Sequence, residues 1–345
     1  MLRTALVTDR RYLEHFAGRS HPERPERLST IVSAVAELKR PKVEPMSPRD
    51  ATLDEIVTCH DPDYIAMVER TSHLDRFDFD HDTHASRATY RTALLAAGGV
   101  LAATETVAAG LTDNAFAVVR PPGHHALPER AMGFCFFNNV AIAVRTLQRR
   151  GFKRVMVIDW DLHHGNGSQE MFYESNDVLY VSLHQFPHYP GTGSLEERGE
   201  GAGQGFTINA PMPAGFGDPE YLRVFDQIVM PVGREFAPEF IIVSCGFDCH
   251  HRDPLGAMRV SEAGFVAMTR RAKRLAAECC GQKLVLALEG GYDLPALAAS
   301  SSAVLEELGR ESDEPIAPAA GGEDADRLIG LVRKSMTPYW SSLSL

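Results

Sequence analysis

Six short apolar runs, widely spaced along the chain, restrict its fold more than any other feature. They are Ala5–Val7, Ala115–Val119, Val155–Ile158, Val178–Leu183, Phe240–Ser244 and Leu284–Leu288. Each is too short for a helix and lacks polar alternation, so each reads as a strand buried on both faces. Between them lie helical stretches over Ala85–Ala109, Asn138–Arg150, Asp218–Phe236, Ser261–Cys280 and Leu294–Leu308. Alternation of this kind predicts an α/β fold, a mostly parallel central sheet with helices on both faces. Arg310–Asp326, rich in Pro, Ala, Gly and acids, reads as an exposed loop, and a last helix is expected over about Asp326–Ser335. No internal repeat or strong linker interrupts the pattern. Residues 1–345 are therefore expected to form one domain, a length that α/β folds reach as a single unit.

Charge and cysteine usage exclude several functions. A formal net charge of −11 argues against sequence-independent nucleic-acid binding, which sets Lys and Arg against phosphates. No apolar run is long enough to span a bilayer. The six cysteines form neither a C-x-x-C pair nor a disulfide framework. With no signal peptide at the start, a reducing cytosol is the expected compartment. The sequon Asn166-Gly167-Ser168 is then a chance match.

In open α/β sheets ligands bind beyond the C-terminal ends of the strands, so the residues following each run carry the argument. After Val155–Ile158 stand Asp159, Asp161 and His163, spaced by two. In extended backbone these side chains share a face, where carboxylate and imidazole can both take a divalent metal. A turn of solvated polar groups is the bland alternative, but groups this dense after a buried strand need partners. After Phe240–Ser244 stands Asp248, by itself as readily a helix N-cap. With Asp161 and His163 it completes three protein ligands, the number a catalytic zinc uses while keeping a position open. Such a set also suits Fe²⁺ or Mn²⁺. Arg120-Pro121-Pro122-Gly123 follows Ala115–Val119 and presents His124 and His125, candidates for general acid–base work. Glu289-Gly290-Gly291-Tyr292 follows Leu284–Leu288, where two glycines can swing Tyr292 inward to donate to a developing oxyanion. The Gly199–Gly205 run lacks the spacing of a phosphate loop and reads as a loop before a strand. No G-x-S-x-G elbow is present, which argues against a serine hydrolase.

These motifs resemble the histone deacetylase-like amidohydrolases, which include acetylpolyamine amidohydrolases and acetoin-utilisation proteins. The resemblance runs from His21-Pro22-Glu23-Arg24-Pro25-Glu26-Arg27 to Glu289-Gly290-Gly291-Tyr292. Between them lie Gly133–Asn139, the Asp159–Gly167 stretch, Tyr189–Gly193, Gly246-Phe247-Asp248 and Asp253–Gly256. It implies an arginase-like three-layer fold, with metal ligands at Asp161, His163 and Asp248. Tandem histidines fall on His124 and His125, and the transition-state tyrosine on Tyr292. Asp159 orients His124. Asn166 partners His125, as in the class II branch, and supplies no negative charge to it. An acyl tunnel is expected between Phe134, preceded by Gly133, and Tyr189, with Leu255 at its mouth. A structural K⁺ is implied near Asp159, Asp161, His163, Ser182 and Leu183, and a second near Phe172, Ser175, Val178 and Phe206.

The expected reaction is zinc-dependent hydrolysis of the amide of an acylated amine. The apolar Leu255 gives a polycation no charge partner, favouring an acyl-lysine or a small N-acyl amine over an acetylpolyamine; a xenobiotic amide stays open. A di-manganese ureohydrolase would need more carboxylates than Cys249 and His250 after Asp248 supply. A ligand-binding pseudoenzyme would lack a ligand or the tyrosine, and here all these positions are filled. His188, His250 and His251 are specificity candidates. His15, His60, His73, His81 and His84 read as surface or core histidines, and Glu23 and Arg24 as braces of the fold or of a protomer contact. The expected partner is the acylated substrate, with neither nucleic acid nor membrane; homo-oligomer formation stays open.

Overall fold

Val, Ile and Leu crowd the apolar runs, and such side chains are stable in strands only when both faces are covered. The computed structural model describes residues 1–38, 43–311, 316–320 and 322–344. Its strands are β1 (Thr4–Val7), β2 (Val43–Met46), β3 (Phe77–Asp78), β4 (His84–Ala85), β5 (Asn114–Ala117), β6 (Val155–Asp159), β7 (Val178–Gln185), β8 (Thr207–Met212), β9 (Phe240–Cys245) and β10 (Leu284–Leu288). β3 and β4 make a small antiparallel pair, and the other eight form one parallel sheet ordered β2-β1-β5-β10-β9-β6-β7-β8. Every residue of β1, β5, β6, β7, β9 and β10 is buried.

Two strands of this sheet escape the reading of apolar runs, and they are its two edges. β2 reads Val-Glu-Pro-Met and is partly exposed; β8 reads Thr-Ile-Asn-Ala-Pro-Met. Proline removes a ladder donor, so edges are where a sheet tolerates it, and the edge environment breaks the apolar run that betrays a buried strand.

The expected helices are present with shifted ends, and Glu26–Ala36, Pro62–Arg70 and Asn166–Phe172 are helices the sequence reading missed. Asn138 caps Asn139–Arg149 by accepting the Ala141 N–H at 3.0 Å, and Asp293 caps Leu294–Leu308 through Ala296 at 2.8 Å. Ser261 caps Glu262–Cys280, which ends on Gly281 with φ +60°. The helix expected from Ala85 begins at Thr89, because Ala85 belongs to β4 and the chain turns at Ser86, whose N–H donates to Thr89 Oγ1 at 2.7 Å. Asp218–Phe236 is helical throughout but widens into a π turn at Phe225–Val229, just before Pro231, whose ring crowds the carbonyl four residues back. The strand expected at Ala115–Val119 spans Asn114–Ala117.

The last helix runs over Glu323–Met336, starting earlier than expected because Glu323, Asp324 and Asp326 favour its N-terminus. Of the loop expected over Arg310–Asp326, residues 312–315 and 321 lie outside the described residues, and 316–320 carry no helix or strand. No helix is long and apolar enough to cross a membrane among the described residues.

The sheet order decides where the motifs meet. β5, β10, β9 and β6 are consecutive neighbours, although the chain visits them in the order β5, β6, β9, β10. His124-His125, Tyr292, Asp248 and Asp161-His163 therefore leave four adjacent strand ends at the same edge of a parallel sheet.

Candidate active site

β6 ends at Asp159, and the chain then bends through Asp161–His163 instead of staying extended. Alternation nonetheless survives the bend: Trp160 and Leu162 enter the apolar core while the three polar side chains turn to the site. Successive amides fix the bend. Asp159 Oδ1 accepts the Asp161 N–H at 3.1 Å, and Asp161 Oδ1 accepts the His163 N–H at 2.9 Å. Asp248, just beyond β9, accepts the Leu162 N–H at 2.9 Å, so the two strand ends are stitched together.

Asp161, His163 and Asp248 are all buried, and their ligating atoms lie within 4.8 Å of one another. His163 Nδ1 faces Asp161 Oδ1 at 3.2 Å and Asp248 Oδ2 at 3.1 Å. Two ligands about 2.0–2.1 Å from one tetrahedral ion stand roughly 3.3 Å apart, so these two contacts are compatible with a shared divalent ion. The charge fits too. Burial alone would lower His163, but the two carboxylates outweigh it and hold the imidazole up at about 9. Burial and the like charge of Asp161 push Asp248 up. Two buried acids against one imidazole therefore call for a positive charge between them. Gly290 is required here, since a Cβ on it would lie 2.1 Å from Asp248 Oδ2.

The tandem histidines are adjacent in sequence yet electrostatically opposite. His124 Nδ1 faces Asp159 Oδ2 at 3.1 Å, and its Nε2 stands 3.7 Å from Asp161 Oδ1. Burial opposes its protonation, but Asp161 and Asp159 prevail and raise it to about 10. His125 Nδ1 pairs with Asn166 Oδ1 at 2.8 Å. Burial, with the positive charge of His124 and His163 nearby, pushes His125 well below its ordinary value. Their rings lie 4.0 Å apart. Burial raises the Tyr292 phenol well above its usual range, so it stays a donor.

The expected tunnel residues flank this group on two sides. Phe134 stands 5.8 Å from the Tyr292 ring and 4.6 Å from His21, whereas Tyr189 stands 5.2 Å from His125 and 6.0 Å from His163. Phe134 occupies the left-handed region (φ +69°), an uncommon state for an aromatic residue, and its N–H donates to Thr83 Oγ1 at 3.2 Å. The preceding Gly133 packs on His125 so tightly that a Cβ would lie 2.3 Å from its ring. Leu255 offers its carbonyl to His188 Nε2 at 3.0 Å, and His188 stacks on His163 at 5.3 Å. Of the three specificity candidates, His188 thus reaches the site. His250 turns to Glu262 and Phe265, and His251 is exposed.

Asp159 and Ser182 are register partners on β6 and β7, with Leu183 next to them. Ser182 Oγ is 2.9 Å from His184 Nδ1. Ser175 donates its N–H to Phe172 O at 2.9 Å, and Tyr180, two residues past Val178, donates to Phe206 O at 2.9 Å. The first group offers carbonyl, hydroxyl and carboxylate oxygens and the second carbonyl and hydroxyl oxygens, donors suited to a hard cation.

Two supporting residues went unread, Tyr180 and Glu289. Tyr180 donates its hydroxyl to Asp159 Oδ2 at 3.0 Å; its sequence signal is nil, because only the β6–β7 register brings it there. Glu289, fully buried, accepts the Gly123 N–H at 2.6 Å and so ties the β10 end to the histidine turn. Glu23 binds Arg120 at 2.6 Å and Arg27 at 3.1 Å, all three fully buried. This confirms Glu23 as a brace of the fold, and the charge density of the His21–Arg27 run was its signal.

Comparison with known proteins agrees with this geometry. A sequence profile of the histone deacetylase domain matches residues 21–308. A probable deacetylase of Archaeoglobus fulgidus is 42% identical over 84% of this chain and 82% of its own length. Histone deacetylase 15 of Arabidopsis thaliana is 38% identical over 99% of this chain, which spans 63% of that protein. The crystal structure of the HDA15 HD domain superposes with a TM-score of 0.92 at 38% identity, covering 99% of this chain and 96% of that one. The chain therefore belongs to the histone deacetylase family, with its arginase/deacetylase fold, and is a hydrolase of amide bonds.

Proposed function

We infer that this protein hydrolyses the amide of an acylated amine, an N-acetyl-lysine side chain or a small N-acyl amine. The observation that carries the reading is the convergence of Asp161, His163 and Asp248 beneath a histidine pair, one member facing Asp159 and the other Asn166. Zn²⁺ is the ion proposed for the three ligands, with Fe²⁺ the next fit. When bound, such an ion supplies Lewis-acid polarisation of the amide carbonyl and a lowered pKa for water.

The chain's own residues supply the rest. His125, neutral and oriented through its Nδ1 by Asn166, accepts a proton at Nε2 from the attacking water and returns it to the departing amine. His124, whose Nδ1 faces Asp159 Oδ2, positions the water and stabilises developing negative charge. Tyr292 donates its hydroxyl to the oxyanion. Phe134, Gly133 and Tyr189 line the path of the acyl-bearing arm, and Leu255 stands at its mouth, where an apolar side chain favours acyl-lysine over an acetylpolyamine. Structural K⁺ is proposed at Asp159, Asp161, His163, Ser182 and Leu183, and at Phe172, Ser175, Val178 and Phe206. We take residues 1–345 to act as one catalytic unit, and six thiols without a disulfide support a reducing compartment.

A panel of acetyl-lysine peptides, acetylpolyamines and small amides, assayed on metal-defined protein, tests the substrate class. Tyr292→Phe is expected to keep fold and metal while losing about 100-fold or more in kcat. A variant as fast as wild type would remove Tyr292 from the reaction.

A further inference from the structure

Asp253 is a buried carboxylate, 7% exposed, for which the proposed mechanism has no use. Its Oδ2 accepts the Tyr292 N–H at 2.6 Å and the Asp293 N–H at 3.3 Å. Its Oδ1 accepts the Leu255 N–H at 3.0 Å, and its own N–H donates to His250 O at 2.9 Å. One carboxylate thus gathers amides from two separate segments, the loop after β9 and the turn after β10.

The turn after β10 is gripped from elsewhere too. Arg27 donates from Nε to Gly291 O at 2.6 Å and from Nη2 to Glu289 O at 2.5 Å, and its guanidinium lies 4.9 Å above the Tyr292 ring. Arg27 therefore holds carbonyls of the turn, and Asp253 holds its amides. Gly291, at φ +118°, is the conformation that lets the turn offer both. Across the mouth, Leu255 is fixed at its amide by Asp253 and at its carbonyl by His188.

We propose that Asp253 is a positioning residue that sets the Tyr292 hydroxyl in place relative to Leu255, coupling the entrance of the site to its oxyanion donor without touching substrate. This rests on reading Tyr292 as that donor. The chemistry of the side chain makes it testable. Asp253 accepts N–H groups on both oxygens, whereas asparagine accepts on one and donates on the other. Asp253→Asn keeps the shape but must break the tie to Leu255 or the tie to the Tyr292 turn. Misplacing a reacting group by about 1 Å can cost on the order of 100-fold in rate.

The experiment is a double-mutant cycle on the full-length, metal-loaded protein, with an acetyl-lysine peptide as probe. Asp253→Asn is expected to lower kcat by about 10-fold or more, with KM changed less than about 3-fold. In a Tyr292→Phe background the same change is expected to cost less than about 3-fold, because the hydroxyl it positions is gone. Asp253→Glu, which keeps two acceptors, is expected to recover part of kcat. Melting temperature and metal content are measured on every variant. If Asp253→Asn does not fold, the cycle is run with Asp253→Glu. Three results overturn the proposal: wild-type kcat in Asp253→Asn, a full multiplicative loss on top of Tyr292→Phe, or failure of both variants to fold, which would make Asp253 a fold determinant. Wild-type kcat in Tyr292→Phe alone would instead strike at the mechanism on which the proposal rests.

Discussion

His124 and His125 show how far environment can separate two identical side chains. Both are buried, and burial alone would make both neutral. Two carboxylates reverse that outcome for His124, while for His125, hydrogen-bonded to the neutral amide of Asn166, burial and the neighbouring His124 and His163 outweigh Asp161. Asn166→Asp would place a negative charge against His125 Nδ1 and stabilise its protonated form. A general base works deprotonated, so a higher pKa moves the acid limb of kcat/KM to higher pH, by about one unit or more. The pH–rate profiles of the two proteins check this, and coincident acid limbs would show that the partner does not tune the base. The residue types of this pair and their partners were legible from the motifs. The opposite directions in which the two are shifted were not, because they depend on which charged groups lie within a few ångströms.

Among the elements, the His21–Arg27 segment shows what a charged motif becomes when buried. Glu23 bridges Arg120, just past β5, and Arg27, which reaches the turn after β10; His15 stands 3.4 Å away. Burial opposes ionisation of Glu23, but Arg120 and His15 prevail and hold it well below 4.5. A depressed carboxylate contributes its stability fully above its unfolded value, near 4.5, and loses it as pH falls through the folded value. Glu23→Gln leaves two buried guanidiniums short of countercharge and is expected to cost about 3–5 kcal/mol, measured by denaturant unfolding at pH 7. The variant's deficit relative to wild type should shrink as the pH drops below about 4.5, where Glu23 of the unfolded chain begins to protonate while the folded carboxylate stays ionised. A deficit that does not change with pH would place the loss in packing. At this scale the buried strands and main helices were legible, because burial on both faces leaves a run of apolar residues. The edge strands β2 and β8 were not, since Pro45 and Pro211 sit where only an edge admits them.

Across the whole molecule, the trio proposed as ligands joins β6 to β9 through buried acids, so metal binding and folding should be linked. An ion that binds the native state at 100 times its Kd adds about 2.7 kcal/mol of stability. Removing the metal with a chelator is therefore expected to lower the melting temperature, and one equivalent of Zn²⁺ per chain to restore it. Asp161→Asn or Asp248→Asn should blunt that recovery. A melting curve indifferent to chelator and zinc would contradict the metal site.

Local chain chemistry determined the alternation of strand and helix, the turns built on Pro-Pro-Gly and Gly-Gly, and the period-two placing of Asp159, Asp161 and His163, because these depend on neighbours a few residues apart. Only the tertiary structure decided that β5, β10, β9 and β6 lie side by side, that Tyr180 meets Asp159, and that one carboxylate at position 253 holds both Leu255 and Tyr292. Pairings across gaps of 20 to well over 100 residues depend on how the whole sheet packs, which no short stretch of chain encodes.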